Sequence, residues 1–103
     1  MIHFNQETFD KTLSEGGLMM VDFWAEWCGP CQMLGPVIEA LAEQYEGRAV
    51  VGKVNTDEEP ALAVRYSVSG IPTVIFFKDG KEIDRKVGVM PPDAFIQVLE
   101  KNL

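Results

Sequence analysis

The sequence predicts an α/β layer fold, a mixed β-sheet with helices on both faces. Three observations carry this. Apolar runs of strand length, "LMMVDFW" (Leu18 to Trp24) and "AVVGKV" (Ala49 to Val54), flank the clearest helical pattern in the chain. A strand, a helix and a strand in succession demand a parallel pair with a right-handed crossover. Further on, "TVIFFK" and "KEIDRKV" flank Asp79-Gly80, a two-residue hairpin turn, and so demand an antiparallel pair.

Each element follows in order. Asn5 is placed to cap a first helix that carries Phe9 and Leu13 on one face and stops at Gly16-Gly17. Leu18 to Trp24 is apolar apart from Asp22, as suits a strand buried on both faces. Leu34, Val37, Ile38, Leu41, Ala42 and Tyr45 then fall at i, i+3, i+4, i+7, i+8 and i+11, one apolar helical stripe closed by Gly47. Pro36 lacks the N–H that would bond the Gln32 carbonyl, so a kink is expected one turn after the cysteines. Ala49 to Val54 is a second buried strand. Asp57 is expected to cap a short helix with Glu58, Glu59 and Pro60 in its first turn. Thr73 to Lys78 is a third strand, and Lys81 to Val87, more charged, a fourth at an edge. The last helix starts near Pro92 and is expected to bury Phe95, Ile96, Leu99 and Leu103.

Composition bounds the function. The chain has 103 residues, enough for one domain over 1–103 with one core. Apolar residues make up 47% and charged residues 24%, which are globular values. The net charge is −7 with no basic stripe, which argues against nucleic acid as a partner. No uninterrupted apolar window reaches the roughly 18 residues a membrane span needs, so no membrane partner is expected. The opening "MIHFNQETFD" has neither the basic region nor the apolar run of a signal peptide. A cytoplasmic protein is therefore expected. Thiols are kept reduced there, which favours a catalytic or metal-binding role for a CxxC pair over a structural one.

The two cysteines sit together in "WAEWCGPCQM", Cys28 and Cys31 with Gly29 and Pro30 between them and Trp27 just before. A closed zinc site wants four Cys or His ligands, whereas the chain offers two cysteines and the remote His3, leaving only a site shared between chains. A structural clip is poor too, because a four-residue loop is worth roughly 2 kcal/mol in the chain-entropy model. A redox pair has a mechanism. Residues i and i+3 at a helix start lie about 5–6 Å apart, within disulfide range. Free N–H groups at that helix end favour negative charge, hence the thiolate of Cys28, the reacting form. Pro30 suits a first helical turn and stiffens the loop.

Asp22 is the only charge in its strand and shares a strand face with Met20 and Trp24. A buried carboxylate is expensive and its pKa should rise. It is either bonded to nearby backbone or a proton acceptor near the cysteines. Lys53, inside the next buried strand, is the obvious partner.

Together these residues resemble the thioredoxin family. "VDFWAEWCGPC" (Val21 to Cys31) is similar to its active-site segment, "SGIPTVIFFKDGK" (Ser69 to Lys81) to a second signature and "VGV" (Val87 to Val89) to a third. The resemblance spans essentially the whole chain. It implies a thioredoxin fold, with a central mixed sheet of four to five strands flanked by four helices on both faces. It implies a thiol–disulfide oxidoreductase that reduces protein disulfides, with Cys28 as nucleophile and Cys31 resolving the mixed disulfide. Asp22 would take or relay the Cys31 proton and Lys53 would tune it. Pro72 aligns with the family's cis-proline, and backbone at Gly70 and Ile71 would pair with a substrate strand. Trp27, Gly29, Pro30, Ile71, Pro72, Gly88 and Val89 would form a flat apolar docking surface. No bound cofactor or metal is expected beyond the redox-active disulfide Cys28–Cys31. Electrons would come from NADPH through a thioredoxin reductase, and the protein would act as a monomer.

Gly-Pro between the cysteines is the family's reducing version, since oxidising relatives tend to carry a histidine there. Three positions depart from the common pattern. Gln32 stands where a basic residue is usual, which removes a positive charge near Cys28. Pro91-Pro92 replaces a polar helix cap, so Asp93 must complement that helix end. The edge strand near Ile2 to Phe4 is expected to be short.

Overall fold

A computed structural model describes residues 1–103. Its elements run β1 (Ile2–His3), α1 (Gln6–Ser14), β2 (Leu18–Trp24), α2 (Gly29–Gln44), β3 (Val50–Asn55), α3 (Pro60–Arg65), β4 (Thr73–Lys78), β5 (Lys81–Val87) and α4 (Pro92–Asn102). The five strands form one sheet in the order β1-β3-β2-β4-β5. β3 runs parallel to β1 and β2, whereas β4 is antiparallel to β2 and β5. The crossover and the hairpin read from the sequence are therefore both present.

The inner strands are mostly apolar, with Asp22 and Lys53 as the charged exceptions, because helices cover both faces. Alternate residues point to opposite sides. Met20, Val74 and Phe76 pack with Leu34, Ile38 and Leu41 of α2 and Phe95 and Leu99 of α4. Met19, Val21, Phe23, Ile75 and Phe77 pack on the other side with Phe9 of α1 and Leu62 of α3. No helix is long and apolar enough to cross a membrane.

Local chemistry sets the element ends. Asn5 caps α1 by accepting the Thr8 N–H at 2.8 Å, while Thr8 Oγ1 accepts the Asn5 N–H at 3.0 Å, a reciprocal capping box. α2 continues through Pro36, which is exposed and so lies on the solvent side of the helix rather than against the core. At the β4–β5 turn Asp79 and Gly80 have φ of 50° and 83°, the left-handed pair a type I′ turn requires. Asp79 is also tied to the α1–β2 connection. Its carboxylate accepts the Gly17 N–H at 2.8 Å and its own N–H donates to the Gly17 carbonyl at 3.0 Å.

Three expectations are corrected. Asp57 does not cap α3, which starts later, at Pro60, with Glu59 in the cap position and no side-chain cap bond. Asn55 organises the turn instead, its Oδ1 accepting the N–H groups of Asp57 at 2.9 Å and Glu58 at 3.3 Å. Leu103 is not buried but half exposed past the end of α4, where Val98 supplies the buried contact. The β3 strand runs one residue later than expected, because the Ala49 N–H still bonds the Tyr45 carbonyl of the preceding turn.

Gly52 of β3 is a packing requirement. A Cβ there would run into the ring of Phe4, which is buried over it. Gly52→Ala is expected to displace Phe4 and destabilise the fold by about 1–3 kcal/mol. The urea midpoint checks it, and an unchanged midpoint would show that Phe4 is not held against β3.

Candidate active site

β2 ends at Trp24, and Ala25, Glu26 and Trp27 carry the chain over to α2. Cys28 is the N-cap of α2, with φ −89° and ψ 108°. Its sulfur accepts the Cys31 N–H at 3.2 Å, so a sulfur fills the place usually taken by a Ser or Asp oxygen. Pro30 sits in the first turn, where no N–H is needed. Cys28 and Cys31 are joined as a disulfide with their Cα atoms 5.2 Å apart, and both are buried.

The facing wall is the loop that leads into β4. Cys28 Sγ lies 3.7 Å from the Ile71 carbonyl oxygen, and the Ile71–Pro72 peptide bond is cis. The loop is braced from both sides. Thr73 Oγ1 donates to the Gly70 carbonyl, and the Gly88 N–H donates to the Pro72 carbonyl at 2.8 Å. Ile71 packs with Ala25, Cys28 and Cys31 in a small apolar cluster.

Asp22 is fully buried, and neither carboxylate oxygen has a hydrogen-bond partner in the protein. The reading in which local backbone satisfies it is therefore excluded. Burial pushes its pKa up from 3.8 to about 6, an effect partly opposed by the positive charge of Lys53. Lys53 is the cross-strand neighbour of Asp22 on β3, yet the two do not close into an ion pair. Its ammonium instead lies 4.9 Å from the centroid of the Trp24 ring. It also comes within 3.7 Å of where Gly35, one turn beyond Cys31, would carry a Cβ. The charged pair thus sits beneath the first turns of α2.

The remaining candidates gather at the same end of the sheet with unequal exposure. Trp27 is 72% exposed, and Gly29, Pro30 and Gly70 are exposed as well. Ile71 and Gly88 are half-buried, Val89 is exposed, and Pro72 is buried beneath the surface rather than part of it. Two residues at this end were missed. Val87, read as the end of an edge strand and the first residue of the "VGV" segment but not as a site residue, is 58% exposed and approaches Gly70 through its Cγ1. Asp57 accepts the Trp27 Nε1–H at 2.8 Å. No local pattern could have paired residues so far apart in the chain.

The thioredoxin family model matches residues 1–101. The chain belongs to the thioredoxin family. Thioredoxins of Staphylococcus aureus strains MW2 and COL are each 51% identical to it over 95 residues, 92% of this chain and 90% of theirs. A solved structure of a mutant thioredoxin from Halobacterium salinarum NRC-1 superposes with a TM-score of 0.90 at 41% identity, covering 98% of this chain and 88% of that one. This thioredoxin-family chain is thus a thiol–disulfide oxidoreductase of the disulfide-reductase type, and its fold is the thioredoxin fold.

The Asp22 environment fixes a pH dependence of stability. Its folded pKa is above the unfolded value, so stability is lost as pH rises from about 4 through about 6 and stays lost above. A shift from 3.8 to about 6 corresponds to about 3 kcal/mol. Asp22→Asn is expected to be more stable than the parent by up to that amount at pH 8, and by none of it at pH 3. Urea unfolding across this range checks it, and a pH-independent difference would refute the burial account.

Asp57→Ala is expected to free the Trp27 ring while changing stability by only about 1 kcal/mol. Fluorescence anisotropy of Trp27 in a Trp24→Phe background should fall; an unchanged anisotropy would mean that Asp57 does not hold the indole.

Proposed function

We propose that this chain is a general reductase of protein disulfides, acting through residues 1–103 as one thioredoxin domain. The observation that supports it most is the Cys28–Cys31 disulfide at the N-terminus of α2, facing the Ile71 carbonyl. In the reduced form the N–H groups of that helix end favour the Cys28 thiolate. This thiolate attacks one sulfur of a target disulfide, and the other target sulfur leaves as a thiolate. Cys31 then attacks Cys28, the Cys28–Cys31 disulfide re-forms, and the first target sulfur is released. Two electrons pass from the dithiol to the target.

Asp22 accepts the Cys31 proton in the second step, and Lys53 tunes it by opposing the rise of its pKa. A carboxyl with a pKa of about 6 is suited to exchange protons near neutral pH. The target chain lies against Trp27, Gly29, Pro30, Ile71, Gly88 and Val89 with Pro72 supporting from beneath. Its backbone pairs with Gly70 and Ile71 as an added strand. The oxidised protein is returned to the dithiol by a thioredoxin reductase that draws on NADPH. The setting is the cytoplasm and the working form a monomer.

A redox titration followed by Trp24 and Trp27 fluorescence tests the direction of transfer. A midpoint near the thioredoxin family's own reference value of about −270 mV is expected, whereas one near about −180 mV would make the protein an oxidase or isomerase. The residue roles have their own test. Cys28→Ser should abolish turnover, and Cys31→Ser should accumulate mixed disulfides with target proteins on a non-reducing gel. Failure to trap any would remove the resolving role of Cys31. Asp22→Ala should slow the resolving step without unfolding the protein, and equal rates at several pH values would remove the proton acceptor.

A further inference from the structure

We propose that Asn55 is the positioning residue of the docking surface, setting the Trp27 ring for target proteins without meeting them itself. This rests on the reading in which targets lie against Trp27. Trp24 and Asn55 form the last paired rung between β2 and β3. Beyond it the two strands part, one toward Trp27 and α2, the other toward Asp57 and α3. Two contacts hold the parting chains together. The Thr56 N–H donates to the Trp24 carbonyl at 2.9 Å, and the Trp27 Nε1–H donates to the Asp57 carboxylate at 2.8 Å.

The outer contact cannot stand alone. Trp27 is 72% exposed and Asp57 is exposed as well. Water competes for both groups, so the net gain of their hydrogen bond is no larger than the cost of ordering the segments that carry them. The bond persists only where the Asp57 backbone is already fixed, and Asn55 fixes it. Asn55 is buried, with 9% of its surface exposed. Its Oδ1 accepts the N–H groups of Asp57 at 2.9 Å and Glu58 at 3.3 Å, and its backbone carbonyl accepts the Glu59 N–H at 2.8 Å. Three successive N–H groups thus converge on one residue. Such a turn holds the chain by its own side chain, without a capping bond from α3, whose cap position makes none. The Asp57 carboxylate is left pointing at the indole.

Placement of the ring decides what a target meets. A tryptophan is the kind of large, stiff anchor on which interface affinity concentrates. A ring already in place loses little freedom when a target covers it, whereas a loose one must be ordered during docking, at a cost in affinity. That cost falls on proteins, which spread over the indole as they dock. A small disulfide needs only access to Cys28 and escapes it. Asn55 therefore acts on the KM of protein targets and leaves sulfur exchange at Cys28 unchanged.

Asn55→Ala removes the side-chain acceptor. Asp57 and Glu58 are exposed, so water can meet their N–H groups and the variant should fold. Asn55→Asp keeps an acceptor oxygen in the same place. The first measurement needs no substrate: solvent exchange of the Trp27 Nε1–H, followed by NMR in the whole chain. It should quicken at least about threefold in Asn55→Ala and return toward the parent rate in Asn55→Asp. The second compares insulin with hydroxyethyl disulfide as targets. In Asn55→Ala the KM for insulin should rise at least about threefold with kcat kept, while reduction of hydroxyethyl disulfide stays at the parent rate. The third is a double substitution. Once Asp57→Ala has freed the indole, adding Asn55→Ala should raise the insulin KM no further. Unchanged indole exchange in Asn55→Ala, or no recovery in Asn55→Asp, would overturn the proposal. So would an equal loss with both disulfides, or a further rise of KM in the double variant. A chain that reduces neither disulfide would defeat the reductase reading, and the indole measurement would still decide whether Asn55 positions Trp27.

Discussion

A sulfur atom caps α2, and the rest of the site depends on that contact. Helix ends leave donors unsatisfied, and here one donor, the Cys31 N–H, is met by Cys28. The same contact brings the two cysteines within bonding distance and aims Cys28 at the loop before β4. The apolar stripe of α2 then fixes where the cap sits. Leu34, Ile38 and Leu41 bind the helix to the sheet over its full length, so its first turn cannot drift away from Ile71. Packing far from the sulfurs holds the sulfurs in place.

Asp22 is the opposite kind of feature, since its burial weakens the fold that contains it. A carboxylate with no hydrogen-bond partner sits in a mostly apolar core. The lysine that could neutralise it lies over the Trp24 ring instead of closing on it. A tight ion pair would have held Asp22 permanently charged. The looser arrangement leaves its proton available near neutral pH, and the core absorbs the resulting strain on stability.

Most of the fold was legible because the strong signals agree with one another. β2, β4 and β5 begin and end where the apolar runs and the Asp79-Gly80 turn place them. The Asn5 cap and the stripe of α2 were equally plain, since both are written in short-range spacing. The errors fell where two local devices compete. Asp57 has the chemistry of a helix cap, but Asn55 just before it takes the turn and leaves Asp57 free to reach Trp27. Leu103 continues the α4 stripe in the sequence but lies past the last turn, where nothing covers it. In the site, the cysteine pair and Asp22 were visible as oddities of composition. The partnership of Cys28 with Ile71, the burial of Pro72 and the nearness of Val87 to Gly70 belong to chain segments brought together only by folding.

The strand order has one more consequence. Cys28 follows β2 and Pro72 precedes β4, and these two are adjacent strands flanked on both sides within the sheet. Opening of a folded chain starts at its edges, where backbone bonds are fewest. β1 can fray, and β5 can peel from β4, while the two walls of the redox centre remain stitched to each other from Leu18–Lys78 to Phe23–Thr73. The chemistry is therefore mounted on the part of the molecule that is last to come apart. A chain worn at its margins by heat or protease would still hold its two sulfurs opposite the loop they face.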